Sequence, residues 1–171
     1  MPNKYQIAIL GGGPGGYVAA IRAAQLGFKT VVIDKDNLGG ICLNWGCIPT
    51  KSLLKNAEIY DNLKNHGKEF GIYTKDLSFN FTEIIQRSRG ISDKITKNVE
   101  MLIKKNKIDR IRGFGKLISQ NEIEILDKDG KKTETISADN IIIATGARPK
   151  TFPNIPVDRI NINTSTEAMN L

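Results

Sequence analysis

Six glycine-rich residues, Gly11-Gly12-Gly13-Pro14-Gly15-Gly16, place the strongest constraint on how this chain can fold. They follow a short apolar run, residues 6–10, and open a segment with apolar residues at helical spacing, residues 14–27. A second β-branched run, residues 29–34, ends on an acidic side chain, that of Asp34. The order predicts a βαβ unit with a parallel sheet, because glycines let the chain turn directly from a buried strand into a helix.

The glycines at positions 11, 13 and 16 fit the G-x-G-x-x-G pattern of dinucleotide-binding turns. The first permits the tight turn, the second lets a pyrophosphate approach the backbone, and the third lets the helix pack against the strand. Asp34 stands where a carboxylate can accept hydrogen bonds from ribose hydroxyls. This context favours dinucleotide binding over a glycine-rich turn without a ligand, and it leaves FAD and NAD as alternatives. The candidate binding residues of this unit are Gly11, Gly13, Pro14, Gly15, Gly16, Asp34 and Lys35.

The middle of the chain has a helical pattern. A glycine-rich stretch, residues 38–46, is predicted to be a loop that carries Cys42 and leads directly to Cys47. Apolar residues at helical spacing predict helices over about 49–64 and over 80–106, with a polar loop at 65–79. The only histidine, His66, lies in this loop, and we assign it no catalytic role.

The second half of the chain has a strand pattern, because apolar and polar residues alternate there. Three antiparallel strands are predicted over residues 108–117, 122–126 and 132–137, with a hairpin turn at residues 127–130. A continuous apolar run, residues 140–146, then predicts a buried central strand. The fold class is therefore α/β and Rossmann-like: a parallel sheet with helices on one face and a three-stranded antiparallel meander.

Composition excludes several classes of function. The chain has 171 residues and a net charge of +7, but its basic residues are interleaved with acids and lack aromatic stacking platforms, so we expect no nucleic-acid partner. No stretch approaches the roughly 20 apolar residues of a membrane span, and we expect no membrane partner. The first residues lack the pattern of a signal peptide, so a cytoplasmic location is expected.

Cys42 and Cys47 are the only cysteines, with four residues between them. A second pair of zinc ligands is missing, which disfavours a metal site. A structural disulfide stays open, although closing so short a loop gains only about 2 kcal/mol on the chain-entropy model. Redox chemistry is favoured, because the pair lies at the start of a predicted helix, where a thiolate is stabilised, and Lys51 adds positive charge one turn later.

The stretch from Gly39-Gly40 through Cys42-Leu43-Asn44-Trp45-Gly46-Cys47 to Lys51-Ser52-Leu53-Leu54 resembles the redox-active segment of the flavoprotein pyridine nucleotide-disulfide oxidoreductases. Within that family it is most similar to the branch that oxidises dihydrolipoamide. Glutathione and mercuric reductases usually have valine in place of Leu43 and Ile48. The N-terminal glycine loop, Gly113-x-Gly115 and residues 144–149 match the same family, so the resemblance covers essentially the whole chain.

The resemblance implies a role for each matching residue. Cys42 is expected to exchange with the lipoamide disulfide, and Cys47 to contact the flavin. Lys51 is expected near the flavin N5 region. FAD is the implied cofactor, with the pyrophosphate on the glycine loop. The further residues expected to line the FAD site are Gly39, Gly40, Cys42, Gly115, Ala144, Thr145 and Gly146.

The resemblance also implies a longer protein. Family members usually carry glutamate where this chain has Asp34, and they continue into an NAD-binding domain and an interface domain that completes a homodimer. We therefore expect residues 1–149 to be the N-terminal part of an FAD-binding domain with its redox disulfide, and residues 150–171 to be a linker toward an NAD-binding domain. The implied partner is the lipoamide of 2-oxo acid dehydrogenase complexes, and NAD binds outside these residues.

Two alternatives to this assignment stay open. The chain could be a truncated nucleotide-binding fragment without enzymatic activity, or a disulfide reductase for another substrate, such as a glutathione or mercuric reductase. For the isolated 171 residues we expect weak FAD binding, or none, and no turnover, because much of the flavin's surroundings and the catalytic base lie elsewhere in family members.

Overall fold

The computed structural model describes residues 3–170. Its contacts divide the chain into two compact units: one comprises the residues up to Cys42 together with Ile95–Arg148, the other comprises Leu43–Lys94 and the residues from Pro149 onward. The strands are β1 Asn3–Leu10, β2 Thr30–Asp34, β3 Asp109–Arg112, β4 Phe114–Leu117, β5 Glu122–Leu126 and β6 Lys132–Ile143. The helices are α1 Pro14–Gln25, α2 Gly40–Trp45, α3 Cys47–Asp61, α4 Phe81–Lys105 and α5 Ser165–Ala168, with a π-helical turn at Asn62–His66 and a 3₁₀ turn at Gly67–Phe70.

The first unit contains a six-stranded sheet in the order β3-β2-β1-β6-β5-β4. Its first four strands are parallel, and Ala8 of β1 lies between Val31 of β2 and Ile141 of β6. Strands β4, β5 and β6 pair antiparallel. The predicted βαβ unit and the predicted combination of a parallel sheet with an antiparallel meander are confirmed.

The core of the first unit lies between the parallel strands and the meander. Ala8 and Leu10 of β1 and Val31 and Ile33 of β2 belong to it, together with apolar side chains of β5 and β6. The intervening residue Ile9 lies on the opposite face, against the first turn of α1 at Gly16. Helix α1 therefore packs on the face of the sheet that Ile9 occupies. The buried core residues are Tyr5, Ala8, Leu10, Val31, Ile33, Ile123, Ile125, Ile136 and Ala138.

Three predicted elements of this region are wrong in their limits. The single strand predicted over 108–117 is two strands, because the chain crosses between them at Gly113, where a Cβ atom would lie 2.6 Å from Ile125 Cγ2. The strands predicted separately over 132–137 and 140–146 form one strand, β6, which pairs with β5 of the meander through Lys132–Ser137 and with β1 through Ile136–Ile143. The hairpin turn before it is confirmed, and Gly130 adopts the positive φ of 78° that such turns favour.

Tyr5 links the N-terminal strand to the edge strand β3. Its hydroxyl donates a hydrogen bond to Asp109 Oδ2 at 2.9 Å, and the side chain is buried. Burial first, and the neighbouring carboxylate second, raise the pKa of Tyr5 to about 12, because both disfavour the phenolate.

The second unit is built on α3 and the N-terminal part of α4. Buried Ser88 of α4 donates a hydrogen bond to the Pro49 carbonyl oxygen at 3.2 Å, and Arg87 donates one to Ser52 Oγ at 2.9 Å. Both predicted helices are confirmed with shifted ends, and the predicted loop at 65–79 begins with the π-helical and 3₁₀ turns. His66 is exposed in these turns, and its hydrogen bond with Glu69 raises its pKa.

The last stretch belongs to the second unit by its contacts. It contains the short helix α5, whose N-cap residue Thr164 forms a capping box with Glu167. Its assignment as a linker remains a prediction. Among residues 3–170 there is no helix with the length and apolar character needed to cross a membrane.

Candidate functional site

The first glycine turn is shaped by backbone contacts that leave no room for side chains. Gly11 has φ of 101°, a region that favours glycine, and a Cβ atom there would lie 2.7 Å from the Ala144 carbonyl carbon. A Cβ atom on Gly16 would overlap the Gly11 carbonyl oxygen. The turn and the close packing of helix on strand, both predicted for these two glycines, are therefore visible in the geometry.

The N-terminus of α1 offers backbone donors that no side chain uses. Gly13 is the N-cap residue, Pro14 follows it, and within the described part of the chain no side chain caps this helix and no acid lies in its first turn. A Cβ atom on Gly15 would meet nothing within 4 Å, so space lies beside the free amides. Free amide groups, open space and the positive end of the helix dipole fit a pyrophosphate group.

Asp34 is fixed against this turn by its carboxylate. Oδ2 accepts a hydrogen bond from the Gly12 amide at 2.6 Å, and Oδ1 accepts one from the Asp36 amide at 2.9 Å. Its remaining lone pairs are available to ligand hydroxyls. The G-x-G-x-x-G pattern allows any residue at position 12 and so does not identify Gly12 as a site residue. A Cβ atom there would nevertheless clash with Leu38 and lie 3.2 Å from Asp34 Oδ2.

A second pair of glycines packs against the first turn. The Gly39 amide donates a hydrogen bond to the Gly12 carbonyl oxygen at 2.8 Å. Gly40 has φ of 56°, and a Cβ atom there would lie 2.8 Å from Gly13 Cα. The first glycine turn and the Gly39–Gly40 pair are well separated in the sequence, but they form one surface. We call Gly11–Gly16 together with Asp34, Gly39 and Gly40 the glycine cradle.

The end of β6 reaches the cradle through the backbone. The Ala144 amide donates a hydrogen bond to the Leu10 carbonyl oxygen at 2.7 Å, and the adjoining chain abuts Gly11. Thr145 is exposed, and Gly146 has φ of 72°. These positions allow the predicted approach to a cofactor.

Gly115 and Lys35 are placed differently from the cradle glycines. A Cβ atom on Gly115 would clash with Leu10 and lie 3.2 Å from Ile33 Cγ2, so core packing alone accounts for glycine at this position. A contact from Gly115 to a cofactor would therefore have to use its backbone. Lys35 is exposed beside Asp36, with 4.0 Å between the ammonium nitrogen and the carboxylate.

The two cysteines form a disulfide, as the sequence predicted. The predicted loop over 38–46 is wrong for most of its length, because Gly40–Trp45 form α2 and Cys42 lies within that helix. Cys47 is the first residue of α3, in agreement with the predicted helix start. A six-residue helix such as α2 is too short to show helical periodicity in a sequence. No cluster of three or more metal-ligating side chains occurs among residues 3–170.

The start of α3 is electrostatically suited to a thiolate. Gly46 is its N-cap residue, and no acidic side chain lies in the first turn. Cys47 and Lys51 are both exposed and stand one helical turn apart, hence on the same face. The positive end of the helix dipole favours a negative sulfur at this position, so the site is suited to thiol–disulfide exchange.

The fold and site define a class: an α/β domain with the glycine-rich βα turn typical of dinucleotide-binding folds and a disulfide that ends at a helix N-terminus. The sequence profile described as "Pyridine nucleotide-disulphide oxidoreductase" matches residues 5–170. The chain belongs to this family.

Named relatives point to one branch of the family. The chain is 44% identical to dihydrolipoyl dehydrogenase of Chlorobaculum parvum over 97% of its own length and 35% of the relative's length. It is 42% identical to dihydrolipoyl dehydrogenase of Bacillus subtilis over its full length and 37% of the relative. Identity to the mitochondrial dihydrolipoyl dehydrogenase of Schizosaccharomyces pombe is 43%, over 99% of this chain and 33% of the relative. The chain thus spans about a third of the length of these relatives.

Proposed function

We propose that this chain is the disulfide-bearing N-terminal part of a dihydrolipoyl dehydrogenase, which oxidises dihydrolipoamide with NAD+ through FAD. The observation that carries the proposal is the Cys42–Cys47 disulfide, with Cys47 exposed at the uncapped N-terminus of α3. The names of the relatives support the substrate, and the glycine cradle supports a dinucleotide cofactor.

In this proposal Cys42 is the residue that meets the substrate. A thiolate of dihydrolipoamide attacks the Cys42 sulfur, which breaks the Cys42–Cys47 bond and forms a mixed disulfide with the substrate. The second substrate thiol displaces Cys42 and closes the lipoamide disulfide. Two electrons and two protons have then left the substrate: one proton is on the Cys42 thiol, the other has passed to solvent, and Cys47 is a thiolate that the N-terminus of α3 stabilises.

The cradle residues are proposed to hold FAD. The free amides at the start of α1, around Gly15, bind its pyrophosphate, and Asp34 accepts hydrogen bonds from its ribose. When bound, FAD supplies a two-electron acceptor that passes the pair on to NAD+. The other residues proposed to line this site are Gly39, Gly40, Cys42, Lys51, Gly115, Ala144, Thr145 and Gly146.

The proposed partners follow from the same branch. Lipoamide would be presented by 2-oxo acid dehydrogenase complexes, the whole protein would be a homodimer, and NAD would bind a domain outside these residues. The cytoplasmic location stays a prediction from the sequence.

The substrate step can be tested on the 171-residue chain without any cofactor. Oxidised protein is incubated anaerobically with dihydrolipoamide, quenched with iodoacetamide and examined by mass spectrometry. We expect two carbamidomethyl groups, on Cys42 and Cys47, and a matching amount of lipoamide. A variant with both cysteines replaced by serine gives the background.

Two results would contradict the proposal. If dithiothreitol reduces the disulfide but dihydrolipoamide at a comparable concentration does not, the assigned substrate is wrong. If glutathione reduces it faster than dihydrolipoamide, the related disulfide reductases become the better assignment.

A further inference from the structure

Trp45 lies between the two cysteines and is the only tryptophan of the chain. It is the last residue of α2, and Gly46 joins it to Cys47 at the start of α3. Its ring is half-buried. The position of this side chain therefore limits how freely the four residues between the cysteines can move.

Arg89 of α4 stacks on the Trp45 ring. Its guanidinium carbon lies 4.5 Å from the ring centroid, within the range of a cation–π interaction. The Arg89 Nη1 atom is buried, and no hydrogen-bond acceptor in the described chain, residues 3–170, reaches it. The indole face is thus the partner that compensates for burial of this part of the guanidinium.

Arg87, Ser88 and Arg89 are consecutive residues of α4, and all three contact one side of residues 42–52, which we call the redox segment. Ser88 donates a hydrogen bond to the Pro49 carbonyl oxygen and Arg87 donates one to Ser52 Oγ, so two contacts lie about one turn apart on α3 and the third is at Trp45, the last residue of α2. Cys47 and Lys51 are exposed instead. The anchored side and the reactive side of this segment are therefore different.

We propose that Arg89 is a positioning residue for the redox disulfide: its stack on Trp45 keeps the residues between Cys42 and Cys47 in the conformation that closes the bond. The inference rests on the proposed redox function. A restrained dithiol loses less conformational freedom when it closes, so the stack shifts the equilibrium from dithiol toward disulfide. Without the stack the reduced segment samples more conformations and closes less readily.

The test is a redox titration of the 171-residue chain with mixtures of reduced and oxidised dithiothreitol. Each disulfide reduced consumes one reduced dithiothreitol and yields one cyclic oxidised molecule. The state of the protein is counted by alkylation and mass, and Trp45 fluorescence follows it independently. For Arg89→Met we expect the disulfide-to-dithiol ratio at a given mixture to fall several-fold, up to about tenfold, which corresponds to about 30 mV. A ratio unchanged in this variant would overturn the proposal.

Two further variants separate the stack from charge. Arg89→Lys keeps a cation that can stack and should recover part of the shift. Lys94→Met removes one positive charge from an exposed position of α4 and should leave the ratio unchanged. If Lys94→Met shifts the ratio as much as Arg89→Met, net charge explains the effect and the proposal fails.

A double-mutant cycle tests whether Arg89 acts through Trp45. In a Trp45→Leu background, Arg89→Met should produce no further shift; a shift of the original size would mean that Arg89 acts on the sulfurs directly. Far-ultraviolet circular dichroism checks folding, and if Arg89→Met unfolds the chain the cycle is run with Arg89→Lys. Because dithiothreitol is the reductant, loss of the Arg89 effect is distinguishable from a failure of dihydrolipoamide as substrate.

Discussion

The glycine cradle and the redox segment, residues 42–52, are built on opposite principles. In the cradle, backbone amides are the groups that can bind a ligand. Four of its positions require glycine, because a Cβ atom at any of them would collide with neighbouring atoms. In the redox segment the chemistry belongs to side chains, which α4 anchors from one side. The contrast indicates that substitutions in the cradle act by steric clash, whereas substitutions in the redox segment act by changing how its side chains are positioned.

The largest effect is expected from adding one methyl group to the cradle. In Gly16→Ala the new Cβ atom would overlap the Gly11 carbonyl oxygen, and backbone must move to relieve the clash. We expect a loss of more than about 3 kcal/mol in the free energy of unfolding, measured by urea denaturation. Gly15→Ala is the matched control, because its Cβ atom meets nothing within 4 Å and alanine favours the helix; its stability should be unchanged or slightly higher. Equal losses in both variants would refute the argument from space.

A second prediction concerns the one charged side chain that helps to shape the cradle. In Asp34→Asn, one oxygen is replaced by an amide nitrogen, which cannot accept from both the Gly12 and the Asp36 amides. We expect a loss of about 2 kcal/mol in unfolding free energy, since a charge-assisted hydrogen bond is lost and a buried donor is left without an acceptor. Asp36→Asn alters an exposed carboxylate and serves as the control. Comparable denaturation midpoints for the two variants would contradict the assigned role of Asp34.

The redox segment should respond to reduction by a smaller amount. Breaking the Cys42–Cys47 bond frees a short loop, which on the chain-entropy model costs about 2 kcal/mol at most. Urea denaturation with and without dithiothreitol measures this difference. A variant with serine at both positions should show no dependence on the reductant. A loss far above this value would mean that the disulfide has a structural role larger than its loop length explains.

The smallest effect is expected at alkaline pH, outside both regions. The pKa of Tyr5 is raised to about 12 by burial and by Asp109, so the native state holds this proton more tightly than the unfolded chain does. The contribution of protonated Tyr5 to the free energy of unfolding is complete below the ordinary tyrosine pKa near 10 and is lost as the pH rises toward 12. At pH 11 the loss amounts to about 1 kcal/mol. Tyr5→Phe should remove this part of the pH dependence, and identical alkaline profiles of the two proteins would show that Tyr5 does not contribute.

Local sequence patterns predicted the parts of the molecule that depend on local chemistry. The βαβ unit, the long amphipathic helix α4 and the cysteine pair were all found from spacing and residue type. The continuous strand β6 was missed because the polar residues Asp139 and Asn140 interrupt its apolar pattern, and both are exposed in the strand. Nothing local shows that a polar pair at this point continues a strand instead of ending it.

The contacts that complete the candidate site were also beyond sequence patterns. Gly12 occupies a free position of the glycine motif, and its need for glycine arises from Leu38, a residue of another segment. The stack of Arg89 on Trp45 depends on where α4 lies against the end of α2. Both are tertiary contacts between residues of different segments. The local sequence pattern around one residue does not indicate which residue of the other segment it contacts.

The long strand β6 sets the order in which the sheet can be completed during synthesis. β1 leaves the ribosome before the other strands, yet the neighbour that pairs along most of its length is made about 130 residues later, since Leu10 pairs with Ile143. Until then one edge of β1 lacks its partner, and the apolar face that the meander covers is open to water and to other nascent chains. The sheet of the first unit is therefore completed late, by residues far apart in the sequence, whereas the contacts between α3 and α4 can form as soon as both helices have emerged.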